Sequence, residues 1–381
     1  MQAWLKKNLE GDYQLWIIVS LLCLTSVVVV FSATARYAVM QGNGVLTFLF
    51  KHSALLIAGL AAMWWIHRKD YHVLAGYSNF FVFLSILMLI YTYKYGVSIN
   101  DTKRWLRIPL LGMTFMPSDL AKLALITNLS VMLAKRQNLE IFKIQELLPM
   151  ILKIVAVCIS ISLTNVSTSV LLFVTCFLLM FFGRVPIRFL VLTLTAVVVM
   201  ASLVVMLGVG NRIETARNRI YAFVETKKGT KKTESEKDAD YQVERSYFAI
   251  AQGGMFGTGP GKSQQRYFLS QADSDFVYAI IIEEWGAIGG VCVLMLYLWF
   301  LYRGMKAVAT SGRAFGGLLS AGLTFSLVIQ AMVNMGVATG LGPVTGQPLP
   351  LLSMGGSSLI FTGLTIGIII SVSRDKAKAF N

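Results

Sequence analysis

Asp273, Asp275, Glu283 and Glu284 stand where an apolar run begins. An ionisable group inside a membrane span costs on the order of 2.5–3.5 kcal/mol at the helix centre, so its presence there argues for function. Asp275 is expected at the mouth of its helix, where that cost is smaller. The competing account is an ordinary N-terminal acid favoured by the helix dipole. Glu283 should lie about 12 Å deeper at 1.5 Å per residue. Eight residues rotate a helix by about 800°, which leaves Glu283 about 80° from the Asp275 face and Glu284 nearly opposite. Glu283 is therefore expected to share a cavity with Asp275.

Just upstream runs GGMFGTGPGKSQQRYF (253–268). Gly261-Lys262-Ser263 resembles the end of a P-loop, but that motif needs four residues between its two glycines and Phe256 occupies the required place. The glycines have two accounts: close backbone approach to an anion such as a diphosphate, with Lys262 and Arg266 as counter-charges, or a tight re-entrant turn. A second cluster is NDTKRWLRIPLLGMTFMPSDLAK (100–122), where Asp119 and Lys122 share a helix face at a spacing of three. Its Lys103, Arg104 and Arg107 flank Trp105 and serve equally well as headgroup anchors. A third is NMGVATGLGPVTGQPLPLLSMGGSS (334–358), whose prolines and glycines exclude one continuous helix. Non-helical backbone at membrane depth is tolerated only where protein or a cavity shields it, so this segment predicts a packed re-entrant loop.

The elements that must position these residues are membrane helices. Charged residues make up 14% of the 381, against roughly 25% in soluble domains, and apolar runs long enough to cross a bilayer recur throughout. The expected spans are 14–33, 46–66, 76–93, 117–134, 149–166, 168–183, 188–208, 276–302, 315–336 and 354–373. The chain thus reads as an all-α polytopic protein with about ten transmembrane helices and one membrane domain over 1–381. The apolar run after Lys6 and Lys7 exceeds the usual signal segment and reads as a retained first helix. Loop cations such as Arg68, Lys69, Lys135, Arg136, Arg303 and Arg313 collect on the side of the termini, which places both termini in the cytoplasm. The net charge of +15 follows in part from these loops and does not call for nucleic acid. Lys153 is expected to snorkel.

Residues 209–275 form a long extracytoplasmic loop between the seventh and eighth spans. Its stretch 227–240, KKGTKKTESEKDAD, is charged, lacks apolar periodicity and is expected to be mobile. The half from Tyr241 onward returns to aromatic and apolar residues and should be ordered. Cys23, Cys158, Cys176 and Cys292 are scattered through apolar runs, and His52, His67 and His72 lack ligand spacing, so no metal site is expected from them.

At these clusters the sequence resembles the SEDS family of shape, elongation, division and sporulation proteins, which includes FtsW, RodA and SpoVE. KRW with PSDLAK is similar to the family's RRW…QPSE-x-x-K. The run from Tyr241-Gln242 through Asp275, Phe276, Glu283, Glu284 and Gly286 is similar to YQ…GG-x-x-G-x-G-x-x-S-x-Q…YL…TDF…EE-x-G. GLGPVTGQPLPLLSMGGSS resembles GLLP-x-x-G-x-x-LPL-x-SYGGSS, in wording closer to FtsW than to RodA. There are departures: Asp119 replaces a glutamate, Met354 a tyrosine, and Thr164–Ser169 lack the acid of QPDLGTA, so no chemistry is assigned there.

The resemblance implies a peptidoglycan glycosyltransferase of the inner membrane that polymerises lipid II at the outer leaflet in septal or lateral wall synthesis. Asp275 would be the catalytic base. Lys122, Arg104, Arg219, Lys262 and Arg266 would meet the diphosphate, with Asp119, Ser263, Glu283 and Ser357 completing the substrate-binding set. A divalent cation, Mg or Mn, at the diphosphate is left open. The implied partners are a class B penicillin-binding transpeptidase and proteins of the divisome or elongasome. The alternative is a flippase for a lipid-linked precursor, which should show polar residues along a path to both faces.

Overall fold

The computed structural model describes residues 9–34, 45–99, 102–107, 114–137, 144–206, 234–269 and 274–379. Eleven helices occur among them: α1 (Tyr13–Ala33), α2 (Val45–Ile66), α3 (His72–Tyr95), α4 (Pro117–Ala134), α5 (Ile144–Ser162), α6 (Val166–Phe182), α7 (Ile187–Met206), α8 (Glu234–Gly253), α9 (Val277–Thr310), α10 (Ala314–Ala338) and α11 (Gly356–Ala379). All but α8 coincide with the expected spans. Seven are long and apolar enough to cross a membrane, and Val166–Phe182 and Ile187–Val199 are shorter apolar helices. The remaining one, α4, carries Asp119, Lys122 and Asn128 on a length of 18 residues. The chain is a polytopic all-α membrane protein.

Local chemistry sets the helix starts. The Asp12 side chain caps α1 by accepting from Gln14 N at 3.0 Å. Its other oxygen accepts from Arg303 Nε at 2.7 Å, tying α1 to α9. Pro117 opens α4 at the position where its missing N–H costs nothing. α10 lies innermost and packs on α4, α6, α9 and α11. α2 lies against α11, where a Cβ on Gly363 would stand 2.1 Å from Gly59 O, so small residues set that approach.

Two features depart from the sequence reading. Three short strands, β1 (Val97–Ile99), β2 (Thr102–Arg107) and β3 (Thr114–Phe115), form an antiparallel sheet in the order β1-β2-β3. The sheet contacts α3, α4 and α11. Second, α8 begins at Glu234, inside the stretch expected to be mobile; 227–233 lie outside the described residues. Once 241–253 is helical and packed, extension into ESEKDAD adds one hydrogen bond per residue without a new nucleation step, and acids near a helix start suit its dipole.

On the face of the termini, the backbone N–H of His72 lies 2.9 Å from Asp70 Oδ1 and holds that carboxyl below its ordinary range. A lowered folded value stabilises above the unfolded pKa of about 3.9 and is lost as pH falls through the folded value. Asp70→Asn should therefore shrink the drop in melting temperature between pH 7 and pH 3, as read by nano-differential scanning fluorimetry.

Candidate active site

Helices alternate in direction, so the end of the bundle opposite the termini receives the start of α4, α9 and α11, the end of α10 and the small sheet. Asp275 sits there, two residues before α9, with its side chain 6% exposed. Its segment is anchored through main-chain carbonyls. Ser353 Oγ donates to Ser274 O at 2.6 Å, and Asn334 Nδ2 donates to Asp275 O at 3.0 Å.

The loop between α10 and α11 is the packed re-entrant segment the sequence implied, and side chains from neighbouring helices satisfy its carbonyls one after another. Asn334 Nδ2 donates to Gln347 O (2.7 Å), Gln330 Nε2 to Pro348 O (2.8 Å), Tyr297 OH to Pro350 O (2.5 Å) and Ser26 Oγ to Leu352 O (3.3 Å). Ser26 Oγ lies 2.9 Å from His52 Nε2, and Gln347 Nε2 reaches Thr168 Oγ1 at 2.8 Å. A buried carbonyl without such a donor would cost about 1–3 kcal/mol, which explains why polar residues interrupt these apolar helices. Leu351 at φ 65 holds a left-handed conformation uncommon for a branched side chain.

Asp119 and Lys122 form the expected pair, 2.8 Å apart across one turn of α4. Lys122 Nζ also lies 3.4 Å from Gln330 Oε1. Gln330 and Asn334, one turn apart on α10, thus link the Lys122 pair to the Asp275 segment through Gln347 and Pro348. Asp119 Oδ2 is buried with no hydrogen-bond donor, an unsatisfied acceptor of the kind that marks functional sites. The pair borders a small groove of about 30 Å³, open to one side, whose lining includes Leu123, Gln330, Ser358 and Thr362. Ser357, at the start of α11, accepts from Met116 N at 3.1 Å and so fixes the entry to α4. Arg104 stands half-buried on β2, whose neighbours include α4.

A second pair of acids lies farther along α9. Glu283 and Glu284 are fully buried, and both face the 258–266 loop. Glu283 Oε1 accepts from Gln264 N (2.7 Å) and Gln265 N (3.2 Å), and its Oε2 from Ser263 Oγ (2.5 Å). Glu284 Oε1 accepts from Ser263 N at 3.2 Å and from the Ser32 hydroxyl. Arg266 reaches Ser32 Oγ at 3.0 Å and Tyr267 OH at 3.2 Å. Sequence periodicity set Glu283 and Glu284 on different faces of α9, and the structure adds that residues of a single loop bind both. Both carboxylates brace one loop, because that loop crosses over the start of α9 and engages both faces of it.

The glycines explain how. At Gly286 the backbone of α9 leaves helical geometry (φ 72, ψ −177). The carbonyls freed there accept from Thr258 N and Gly259 N at 2.9 Å each, while Ala287 N donates to Gly254 O at 2.8 Å. A Cβ on Gly257 would meet Glu284 O at 2.2 Å. Of the two accounts of this glycine run, a tight turn onto α9 is the one the geometry satisfies. Lys262 is exposed beside Gly259, and Arg219 lies outside the described residues.

The residues that sequence reasoning missed are Gln330, Asn334, Gln347, Ser353 and Ser32. Gln330 and Asn334 carried a signal: two amides at a spacing of four inside an apolar span. Asn334→Ala should leave two buried carbonyls without a donor and lower stability by about 2–4 kcal/mol, taking the single-carbonyl cost twice and allowing for relaxation. Thermal unfolding in detergent measures this.

A profile of the family described as cell cycle protein, covering FtsW, RodA and SpoVE, matches residues 12–378. Stage V sporulation protein E of Bacillus subtilis (strain 168) is 31% identical over 375 residues, covering 97% of this chain and 98% of that protein. A protein named probable peptidoglycan glycosyltransferase FtsW from Geobacter metallireducens is 30% identical, over 95% of this chain and 94% of its own. Among solved structures, a chain from a peptidoglycan synthase complex that coordinates polymerization and crosslinking superposes with a TM-score of 0.75 at 24% identity, covering 96% of this chain and 98% of that one. The rod shape determining protein RodA of Thermus thermophilus superposes at 0.67 and 24% identity, covering 96% and 97%. These two likenesses concern the fold, whereas the profile spans nearly the whole sequence. On that match, and with the helices and ordered motifs it runs through, this chain belongs to the FtsW, RodA and SpoVE family, the SEDS proteins.

Proposed function

We propose that this protein is a peptidoglycan glycosyltransferase that polymerises lipid II into glycan strands at the outer leaflet, with Asp275 as the base. The observation that supports this most is the linkage of Asp275 to the Lys122–Asp119 pair through Gln330, Asn334 and the 347–348 carbonyls. It sets a carboxylate and a fixed ammonium on one frame at one end of a membrane bundle. In this reading Asp275 takes the proton of the acceptor's sugar hydroxyl as that oxygen bonds to the donor's anomeric carbon. The bond from that carbon to the diphosphate breaks, and the polyprenyl diphosphate leaves. Lys122 offsets the charge on the leaving group, and Arg104 is a second candidate on the sheet. Arg266, engaged with Ser32 and Tyr267, braces its loop. Among the described residues no group of three or more His, Cys, Asp or Glu is placed to hold a metal. A Mg or Mn ion at the diphosphate would then be held largely by the phosphate oxygens and single carboxylates, as is usual for Mg.

The positive-inside bias orients the termini toward the cytoplasm and this site outward, in the cytoplasmic membrane. The expected partner is a class B penicillin-binding transpeptidase, and the resemblance to FtsW favours septal over lateral synthesis. The test is polymerisation of lipid II by protein co-purified with that transpeptidase, read as glycan chains on a gel. Translocation of precursor across liposomes without polymer would instead favour the flippase.

A further inference from the structure

Lys153 does not snorkel freely, and its surroundings form a second polar site at the opposite end of the bundle. Its Nζ lies 2.6 Å from Asn79 Oδ1 on α3 and 2.9 Å from Asn128 Oδ1 on α4. Asn128 Nδ2 in turn donates to Asn79 Oδ1 at 2.8 Å and Ser78 Oγ at 3.1 Å. Counted along their helices at 1.5 Å per residue, these three side chains sit about 9–14 Å in from the face of the termini. The partners named are neutral, so an ammonium here stands within the span with no carboxylate among its described contacts. Such a charge is expensive without a counter-ion.

Nearby groups sharpen the question of what supplies one. The acid closest along α5, Glu146, is already paired with Arg136. Lys135, exposed just past the end of α4, stands close enough to Lys153 for their charges to repel. Lys135 follows Met132, whose sulfur Lys153 reaches, by one helical turn, so two cations stand on this side with no described carboxylate bonded to either. The site opens sideways rather than into the bundle: Asn79 is exposed, and so are its neighbour Phe80 and, beside Lys153, Leu148 and Leu152. Among the described residues the third N–H of Lys153 meets the Met132 sulfur, at 3.7 Å, a weak acceptor that a phosphate oxygen would displace.

We propose that Lys135, Lys153 and the amide of Asn79 bind the headgroup phosphate of an anionic phospholipid, whose acyl chains lie along the exposed apolar surface of α3 and α5. An anionic headgroup drawn in between Lys135 at the face and Lys153 within the span supplies a counter-charge, and apolar side chains flank it where the tails must run. The assignment of this face to the cytoplasmic leaflet rests on the orientation proposed above; the site itself does not.

The test is photo-crosslinking in nanodiscs with phosphatidylglycerol and phosphatidylcholine probes bearing the same photoreactive tail, followed by peptide mapping. The phosphatidylglycerol probe should label peptides of α3 and α5 more strongly. Lys135→Gln and Lys153→Gln should each reduce that labelling roughly fivefold, the equivalent of one surface lysine. Lys135→Gln is the decisive variant, because it lies beyond the helix and spares the Asn79–Asn128 contacts. Equal labelling by both probes, or undiminished labelling of a normally melting Lys135→Gln protein, would overturn the site. Loss of labelling in millimolar inorganic phosphate would overturn the lipid as its occupant. Nanodiscs expose both leaflets, so an error in the orientation leaves the labelling intact, and an error in the glycosyltransferase reading does not touch it.

Discussion

Asp275→Ala is expected to lower lipid II polymerisation by about 10²–10⁴-fold, the usual contribution of a general base, with the partner transpeptidase present throughout. The melting temperature should stay near that of the unsubstituted protein. The structural reason is that the segment is held by the carbonyls of Ser274 and Asp275, which the substitution leaves in place. Those main-chain anchors are independent of the carboxylate, whose contact with Ser274 Oγ at 3.4 Å the substitution removes. Asp275→Asn keeps the shape and removes the basicity, so it should fall with the alanine variant. Normal polymer from either variant would remove Asp275 from the mechanism. A loss of folded protein in both would mean that the carboxylate is structural instead.

Gly257→Val should prevent the folded protein from accumulating, a destabilisation beyond about 4 kcal/mol. Gly257 has φ +83, and its added Cβ would stand 2.2 Å from the carbonyl oxygen of Glu284 and 2.6 Å from Gly286 N. Those are main-chain atoms on α9 and cannot swing aside. Gly254→Ala is the control: φ is +50, and nothing lies within 4 Å of the added Cβ. It should cost only the left-handed strain of about 1–2 kcal/mol. Size-exclusion profiles and melting curves of the two variants separate close approach from conformational freedom. If the glycines instead served to admit an anion, Gly257→Val would fold and lose only activity.

The sequence by itself determined the membrane helices, because hydropathy is a local property and a bilayer demands about 20 apolar residues per crossing. It also located Asp275 at a helix mouth, the Asp119–Lys122 pair at one turn's spacing, and a 334–358 segment that had to be shielded by protein. Tertiary structure alone decided what each segment meets. Helical rotation separated Glu283 from Glu284, yet one loop engages both, because a loop crossing the helix start is not bound by the helix's own periodicity. The purpose of the glycine run depended on what lay opposite it, and that is the broken turn at Gly286, twenty or more residues away in the chain. The helical start of α8 was hidden for a related reason: its polar residues carry no periodic signal, and the packed half of the helix extends through them. Gln330 and Asn334 were visible as amides in an apolar span, but only packing showed that their hydrogen bonds connect Lys122 to the backbone of Asp275.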